Sequence, residues 1–188
     1  MNEVTIRPKR VAPIIASIVG VLLLGFLWVL ITANPNTTDD ADSPLLGQPA
    51  PAVVTTTLND EEFVLSRRKG SWVVFNFFNS TCVPCVAEHP ELVAFSEREK
   101  AAANPAEMYT VINDDNDASV RAFFEKNGGD WQKIRDADGA ISVAFGVAKV
   151  PETWIIDPNG YVRLRIAGQL SPGLLDEQLG LLKTQFGS

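Results

Sequence analysis

The sequence predicts an α/β domain with a central mixed β-sheet flanked by helices, preceded by an N-terminal transmembrane helix. Apolar, β-rich segments alternate with helical patterns, a hairpin and a last helix follow them, and an uncharged apolar run precedes them all. The chain has 188 residues and a formal net charge of −7, which fits one acidic domain with an appendage. The acidic balance argues against nucleic acid as a partner, because such binding depends on clustered positive charge.

The N-terminal segment predicts on which side of the membrane the rest of the chain lies. Residues 1–10 carry three basic side chains and are predicted to be cytoplasmic, because positive charge stays inside. Residues 11–33 contain no charge and, at ~1.5 Å per residue, cover ~30 Å, enough to cross a bilayer. This run is longer than the ~7–15 residues of a cleaved signal peptide's apolar core and ends in a poor cleavage site. We therefore predict an uncleaved, single-pass signal anchor in the cell membrane, with the rest of the chain extracytoplasmic (periplasmic or at the cell surface).

Residues 34–48 are rich in Pro, Asn, Asp and Thr and are predicted to link the anchor to an extracytoplasmic domain over 49–188. Within it, strands are predicted over residues 52–58, 61–65, 71–78, 108–113, 153–157 and 161–167. Helices are predicted over residues 83–103, 118–126, 141–145 and 171–186. Ser171 is the predicted cap of the last helix, with Pro172 at its first helical position. The segment 71–78, SWVVFNFF, is typical of a central strand buried on both faces.

Both cysteines of the chain lie in one tetrapeptide, Cys82-Val83-Pro84-Cys85, which follows the predicted central strand and opens a helix. Positions i and i+3 of a first helical turn share one face, close enough for a disulfide. Cys82 meets unpaired backbone N–H groups and the positive end of the helix dipole, which favour its thiolate and make it the predicted nucleophile. Cys85 is more shielded and is predicted to resolve a mixed disulfide. The motif thus predicts a redox-active dithiol that needs no cofactor.

Other uses of the cysteine pair are less favoured. A structural disulfide across so short a loop would stabilise the fold little. A copper or other metal-binding module could combine the cysteines with His89 and Glu88, but this set holds only three soft ligands, and His89 is more simply a helix-surface residue. Covalent haem attachment requires His directly after the second cysteine, where Val86 stands. We predict no metal site, and keep the metal-binding module as an alternative.

From residue 47 to about 186, the chain resembles the membrane-anchored, thioredoxin-like thiol:disulfide oxidoreductases of the TlpA/ResA/CcmG (DsbE) type. Three pieces in order carry the resemblance: VVFNFF, then CVPCVAEHP, then FGVAKVPET. The resemblance implies a thioredoxin-like fold and an enzyme that exchanges disulfides with protein substrates. Its favoured role is reductive: keeping the cysteines of an apocytochrome c, or of its carrier, reduced with electrons from a membrane thiol transporter. A disulfide-forming oxidase or a general repair reductase on the same fold is the alternative.

The resemblance also implies roles for individual residues. Pro151 matches the family's cis-proline, which faces the disulfide, and Val150 would offer backbone groups to an extended substrate strand. Glu152 resembles the acidic residue that lines the groove of the cytochrome c maturation members. Glu88 resembles the acidic residue that tunes the cysteine pair, where a carboxylate disfavours thiolate and moves protons. Asn76 stands where ordinary thioredoxins have a buried Asp, so that proton role is absent or falls to Glu88. The candidate catalytic residues are Cys82, Cys85, Glu88, Pro151 and Glu152, with Val150 and Pro151 as substrate contacts.

Overall fold

A computed structural model describes residues 11–32, 39–40 and 43–187. The chain divides into two units, one of which holds helix α1, Val11–Thr32, and the other the remaining elements. Within α1 the structure describes the side chains at position 13 and over 15–28. Across the described part of the chain, no helix meets both the length and the apolar character of a membrane span. The anchor over 11–33 therefore stays a prediction, and the cytoplasmic segment 1–10 lies outside the described residues.

Within its described residues, the second unit has eight strands, six of which form one sheet. They are β1 (Asp39–Asp40), β2 (Val54–Thr56), β3 (Glu62–Val64), β4 (Val73–Phe78), β5 (Glu107–Ile112), β6 (Gln132–Arg135), β7 (Glu152–Ile156) and β8 (Val162–Ala167). The sheet has the order β1-β8-β7-β4-β5-β6, while β2 and β3 pair separately as an antiparallel hairpin. Strands β4, β5 and β6 are parallel, and β7, β8 and β1 run antiparallel to their neighbours. The predicted mixed sheet is confirmed.

Four helices and a short 3-10 helix, Leu65–Arg68, surround the sheet. The helices are α2 (Val83–Lys100), α3 (Asp117–Asn127), α4 (Ala140–Phe145) and α5 (Leu174–Phe186). One face of the sheet forms a core cluster with α2, α3 and α5. The opposite face forms a second cluster with α4 and the β2–β3 hairpin. The sheet is therefore covered on both faces, as the predicted class requires.

Strand β4 runs through the middle of the sheet, and its side chains alternate between the two core clusters. All six of its residues are buried, which confirms the prediction of a central strand. Val74 and Phe78 pack towards α2, and Asn76, which lies between them, points to the same side. The C-terminal end of this strand leads directly into the cysteine motif.

The sheet is larger than the sequence predicts at both edges. Strand β1 lies inside the predicted linker and pairs with β8, so the sheet begins before residue 49. Strand β6 was not predicted at all.

At the other end of the chain, the predicted cap at Ser171 is wrong: Gly173 has a φ of 78°, a left-handed conformation that no residue inside a right-handed helix adopts, and α5 begins after it.

Candidate active site

Cys82 and Cys85 form a disulfide at the junction between β4 and α2, with their Cα atoms 5.2 Å apart. Cys82 is the N-cap residue of α2, and its Sγ accepts a hydrogen bond from the backbone N–H of Cys85 at 3.2 Å. Cys82 is half-buried, whereas Cys85 is fully buried. In the reduced form the same N–H and the positive end of the helix would favour a thiolate on Cys82. The geometry thus makes Cys82 the accessible sulfur and Cys85 the shielded one.

The turn before the disulfide is fixed by hydrogen bonds that the sequence did not predict. The Asn79 side chain accepts from the backbone N–H of Thr81 at 2.8 Å and donates to the carbonyl oxygen of Asp114 at 2.7 Å. The backbone N–H of Ser80 donates to Asp115 Oδ2 at 2.6 Å. The rim of the site is therefore attached to the loop after β5. The Asn-Ser-Thr run signals a turn, but not its partner 35 residues along the chain.

Val150 and Pro151 lie beside the disulfide. The peptide bond between them is cis, the form that the resemblance implied. The carbonyl oxygen of Val150 lies 3.6 Å from Cys82 Sγ, and Val150 itself is half-buried, so part of this segment faces solvent next to the accessible sulfur. The structure thus brings the predicted substrate-contact residues to the reactive cysteine.

Glu88 is buried beneath the site, three residues after Cys85 on α2. Its Oε1 accepts from Asn76 Nδ2 at 2.8 Å, and its Oε2 accepts from the backbone N–H of Leu170 at 2.8 Å. Burial raises the pKa of Glu88 from 4.5 to about 7, although the two hydrogen bonds act in the opposite direction. Glu88 is therefore not a solvated surface charge, and it can gain or lose a proton near neutral pH.

Glu152 is also buried, but it is held by a cation. Its two carboxylate oxygens accept from Arg165 Nη2 at 2.8 Å and Nε at 3.0 Å. The Arg165 guanidinium also lies 5.4 Å from the centre of the Trp154 ring, and the pKa of Arg165 is raised by its bonds to Glu152. Since side chains alternate along β7, Glu152 points to the opposite face of the sheet from Thr153, which contacts Asn76. Glu152 thus lies on the sheet face away from Asn76, and its role as a groove-lining acid stays a prediction.

His89 corrects an expectation, because it is buried and not on the helix surface. Its ring packs against Phe123, Phe124 and Trp131, with ring centres 4.8, 5.1 and 5.8 Å away. Its Nε2 lies 3.0 Å from the carbonyl oxygen of Gly128, and burial lowers the pKa of His89. Helix α3 covers this side of α2, which a pattern read from α2 alone does not reveal. Over the described ranges, no three His, Cys, Asp or Glu side chains converge as metal ligands.

Comparisons with known proteins agree with this arrangement. Residues 46–165 match the AhpC/TSA family. The chain is 31% identical over 172 residues to the thiol:disulfide interchange protein DsbE of Pseudomonas aeruginosa, covering 90% of this chain and 88% of that protein. It is 27% identical to the thiol-disulfide oxidoreductase ResA of Bacillus subtilis, covering 85% of this chain and 90% of that protein.

Among solved structures, a similar one is that of a secreted Mycobacterium tuberculosis disulfide oxidoreductase homologous to Escherichia coli DsbE. It superimposes with a TM-score of 0.60 at 20% identity and covers 70% of this chain and 95% of that one. At this identity the likeness concerns the fold alone. It supports the thioredoxin-like α/β fold of the unit that carries the disulfide.

Proposed function

Since the chain belongs to the AhpC/TSA family and is a thiol:disulfide oxidoreductase of the DsbE and ResA type, we propose that it reduces disulfides in protein substrates during cytochrome c maturation. The observation that carries the reductive direction is the buried Glu88 carboxyl, which has no ion-pair partner among the described residues. An uncompensated carboxylate three residues after Cys85, on the same side of α2, disfavours a thiolate there. Oxidising dithiols have the opposite property, a reduced form that is stabilised.

The reaction begins with the reduced pair. The Cys82 thiolate attacks one sulfur of the substrate disulfide, that S–S bond breaks, and the released substrate sulfur takes up a proton. Cys85 then gives its proton to Glu88 and attacks Cys82 Sγ, which frees the second substrate sulfur as a thiolate that is protonated in turn. In total, two electrons pass from the Cys82–Cys85 pair to the substrate. Of the two protons that the substrate gains, one balances the proton that Cys85 gave to Glu88 and the other comes from water.

Glu88 suits the second step because Cys85 is shielded from water. A buried thiol needs a local group to accept its proton, and a carboxyl with a pKa of about 7 can both take that proton and release it near neutral pH. Glu88 follows Cys85 by three positions on α2, on the same side of the helix. The proton role of Glu88 is thus supported by its position and by its environment.

Substrate binding falls to the segment that precedes β7. An extended peptide lying along Val150 would place its disulfide against Cys82 Sγ, because the Val150 carbonyl oxygen is 3.6 Å from that atom. Backbone hydrogen bonds of this kind do not select for a particular side chain of the substrate. They suit a polypeptide substrate, for which we propose an apocytochrome c or the carrier that delivers its thiols.

We further propose that the chain acts outside the cytoplasm, attached to the cell membrane by residues 11–33, with a membrane thiol-electron transporter as donor. The uncharged apolar run and the basic residues before it support this placement. A redox-active disulfide also persists best in an oxidising compartment.

The decisive experiment measures the reduction potential of the Cys82–Cys85 pair in the full chain, in detergent, by equilibration with thiol buffers. A value near or below that of thioredoxin, ~−270 mV, is expected for a reductant. A value near ~−120 mV would identify an oxidant that introduces disulfides and would overturn the proposed direction. Reduction of an oxidised peptide that carries an apocytochrome c haem-binding motif, compared with the Cys82→Ser variant, tests the substrate class.

A further inference from the structure

A buried polar pair from two strands adjoins Glu88. Asn76 on β4 and Thr153 on β7 are register partners, and both are fully buried. Asn76 Nδ2 donates to Glu88 Oε1 at 2.8 Å and to Thr153 Oγ1 at 3.2 Å. One amide nitrogen therefore connects the carboxyl group of α2 to a hydroxyl group of the sheet.

The other end of the same amide is unsatisfied. Asn76 Oδ1 is buried and has no hydrogen-bond partner within the described ranges of the chain. If the side-chain amide of Asn76 rotated by half a turn, Oδ1 would face Glu88 and Thr153. Nδ2 would then occupy the position where Oδ1 now has no partner. The Thr153 hydroxyl both donates and accepts, so it can bond to either end. Each orientation leaves one amide atom unpaired. Which orientation is favoured depends on whether Glu88 presents a hydrogen-bond acceptor or a donor.

Glu88 offers different partners in its two protonation states. The carboxylate only accepts hydrogen bonds, whereas the carboxylic acid also donates one O–H. The backbone N–H of Leu170 can only donate, and it bonds to Oε2. Oε1 faces the amide of Asn76, which has a donor at one end and an acceptor at the other.

We propose that Asn76 is a positioning residue that turns its amide with the protonation state of Glu88. Nδ2 donates to the carboxylate, and after a half turn Oδ1 accepts from the carboxylic acid. The inference rests on the proposed proton role of Glu88 and deepens it. Glu88 keeps a hydrogen bond at Oε1 before and after it takes the proton of Cys85, so proton transfer within the buried site leaves no carboxyl atom unpaired.

The groups that bond to the Glu88 carboxyl are uncharged and come from two other elements: the Asn76 amide of β4 and the backbone N–H of Leu170 before α5, with Thr153 of β7 behind Asn76. On its own helix, Cys85 stands three residues before Glu88, on the same side of α2, and is held in the disulfide with Cys82. No charged side chain contributes to the shifted pKa of Glu88, which arises from burial and is moderated by its two hydrogen bonds. The Asn76 amide is therefore the group that can respond when Glu88 gains or loses a proton.

The charged residues nearest in sequence have other partners. His89 is directed into the aromatic rings of α3 and bonds with Gly128. Glu91 pairs with Arg98. Glu152 lies on the opposite face of β7, as described above. None of these side chains contacts the Glu88 carboxyl in the described structure.

NMR on the isotope-labelled, oxidised full chain in detergent tests the inference directly. The side-chain carboxyl carbon of Glu88 and the side-chain amide of Asn76 are followed from about pH 5 to about pH 9. We expect both to shift with one common midpoint. The side-chain amide of Asn113, which donates to Ser142 Oγ at 2.8 Å, is the internal control and should not follow that midpoint.

The Glu88→Gln variant supplies the matched comparison, because its side chain does not ionise. In it, the Asn76 amide should become independent of pH. If Glu88 titrates and the Asn76 amide stays constant, or if the Asn76 shift persists in Glu88→Gln, the inference is overturned while the proton role stands. If the Glu88 carboxyl does not titrate in this range, both fail.

Discussion

Glu152 and Arg165 are joined by two parallel hydrogen bonds across the β7–β8 hairpin. The Glu152 side chain is 2% exposed and that of Arg165 is 17% exposed. Glu152 directly follows Pro151, so this pair fixes the start of β7 next to the segment that touches Cys82. Bidentate geometry of this kind orients both groups as well as pairing them. The acidic residue thus belongs to the supporting structure of the site.

The Glu152→Ala variant should lower the free energy of unfolding of the oxidised chain by about 2–3 kcal/mol, measured by urea denaturation. The variant removes the buried bidentate pair with Arg165, and the effect stays below the ~3–5 kcal/mol of a fully buried pair because Arg165 retains some contact with water. The control is Glu97→Ala, whose exposed pair with Lys100 should contribute less than ~1 kcal/mol. Equal losses in the two variants would contradict this account.

Glu88 should make the oxidised chain less stable as the pH rises. Its pKa is about 7 in the folded chain and 4.5 as the ordinary value. Between these values the folded state holds a proton that the unfolded chain has lost, so the free energy of unfolding falls across this window, by about 3 kcal/mol. Glu88→Gln should remove this part of the pH dependence in chemical denaturation series, and Glu97→Gln on the same helix should retain it. An unchanged slope in Glu88→Gln would refute the assignment.

His89 should have the opposite pH effect. Burial lowers its pKa from 6.5, so below that value the unfolded chain takes up a proton more readily than the folded chain, and stability is lost as the pH falls. His89→Ala should abolish this loss and should also destabilise the chain by ~2–4 kcal/mol at neutral pH, because it leaves a cavity among three aromatic rings. Thermal unfolding at two pH values measures both effects. The exposed Lys126→Ala on α3 should change neither, and the same result for His89→Ala would contradict the prediction.

The variants Cys85→Ser and Cys82→Ser should differ in whether they accumulate a mixed disulfide with a substrate peptide. Cys85→Ser retains the accessible sulfur but lacks the resolving one, so a disulfide-bonded peptide should accumulate as a mixed disulfide with Cys82, detected by mass. Cys82→Ser should form little of this adduct, because Cys85 is fully buried. Added dithiothreitol should release the peptide from Cys85→Ser. Equal adduct formation in the two variants would mean that the roles are not divided between the sulfurs.

Local sequence signals predicted the centre of the sheet but not its edges. Residues 71–78 are an apolar run, and the β7–β8 hairpin has a turn between alternating segments, so both could be recognised from short stretches. The edge strands lack such signals. Gln132–Arg135 contributes one buried apolar side chain, Ile134, and Asp39–Asp40 has low strand propensity. Each is a strand because a neighbouring strand supplies its hydrogen bonds.

At the site, helix spacing was enough to group Cys82 with Cys85, while the resemblance added Glu88, three residues further along α2. The partners of these groups come from other elements. The contact between Asn76 and Glu88 depends on how α2 packs on β4, and it therefore could not be predicted from either segment alone. The Glu152–Arg165 pair depends on the register of the hairpin, in which Trp154 faces Arg165.

Strand β1 covers the edge of β8, and we expect this cover to limit self-association of the domain. Without Asp39–Asp40, the backbone of Ile166 and Ala167 would form an unpaired edge, and such an edge recruits strands from other molecules into edge-to-edge aggregates. A shortened chain that starts at residue 43 would retain the disulfide and expose this edge. A soluble fragment meant for study should therefore begin before Asp39.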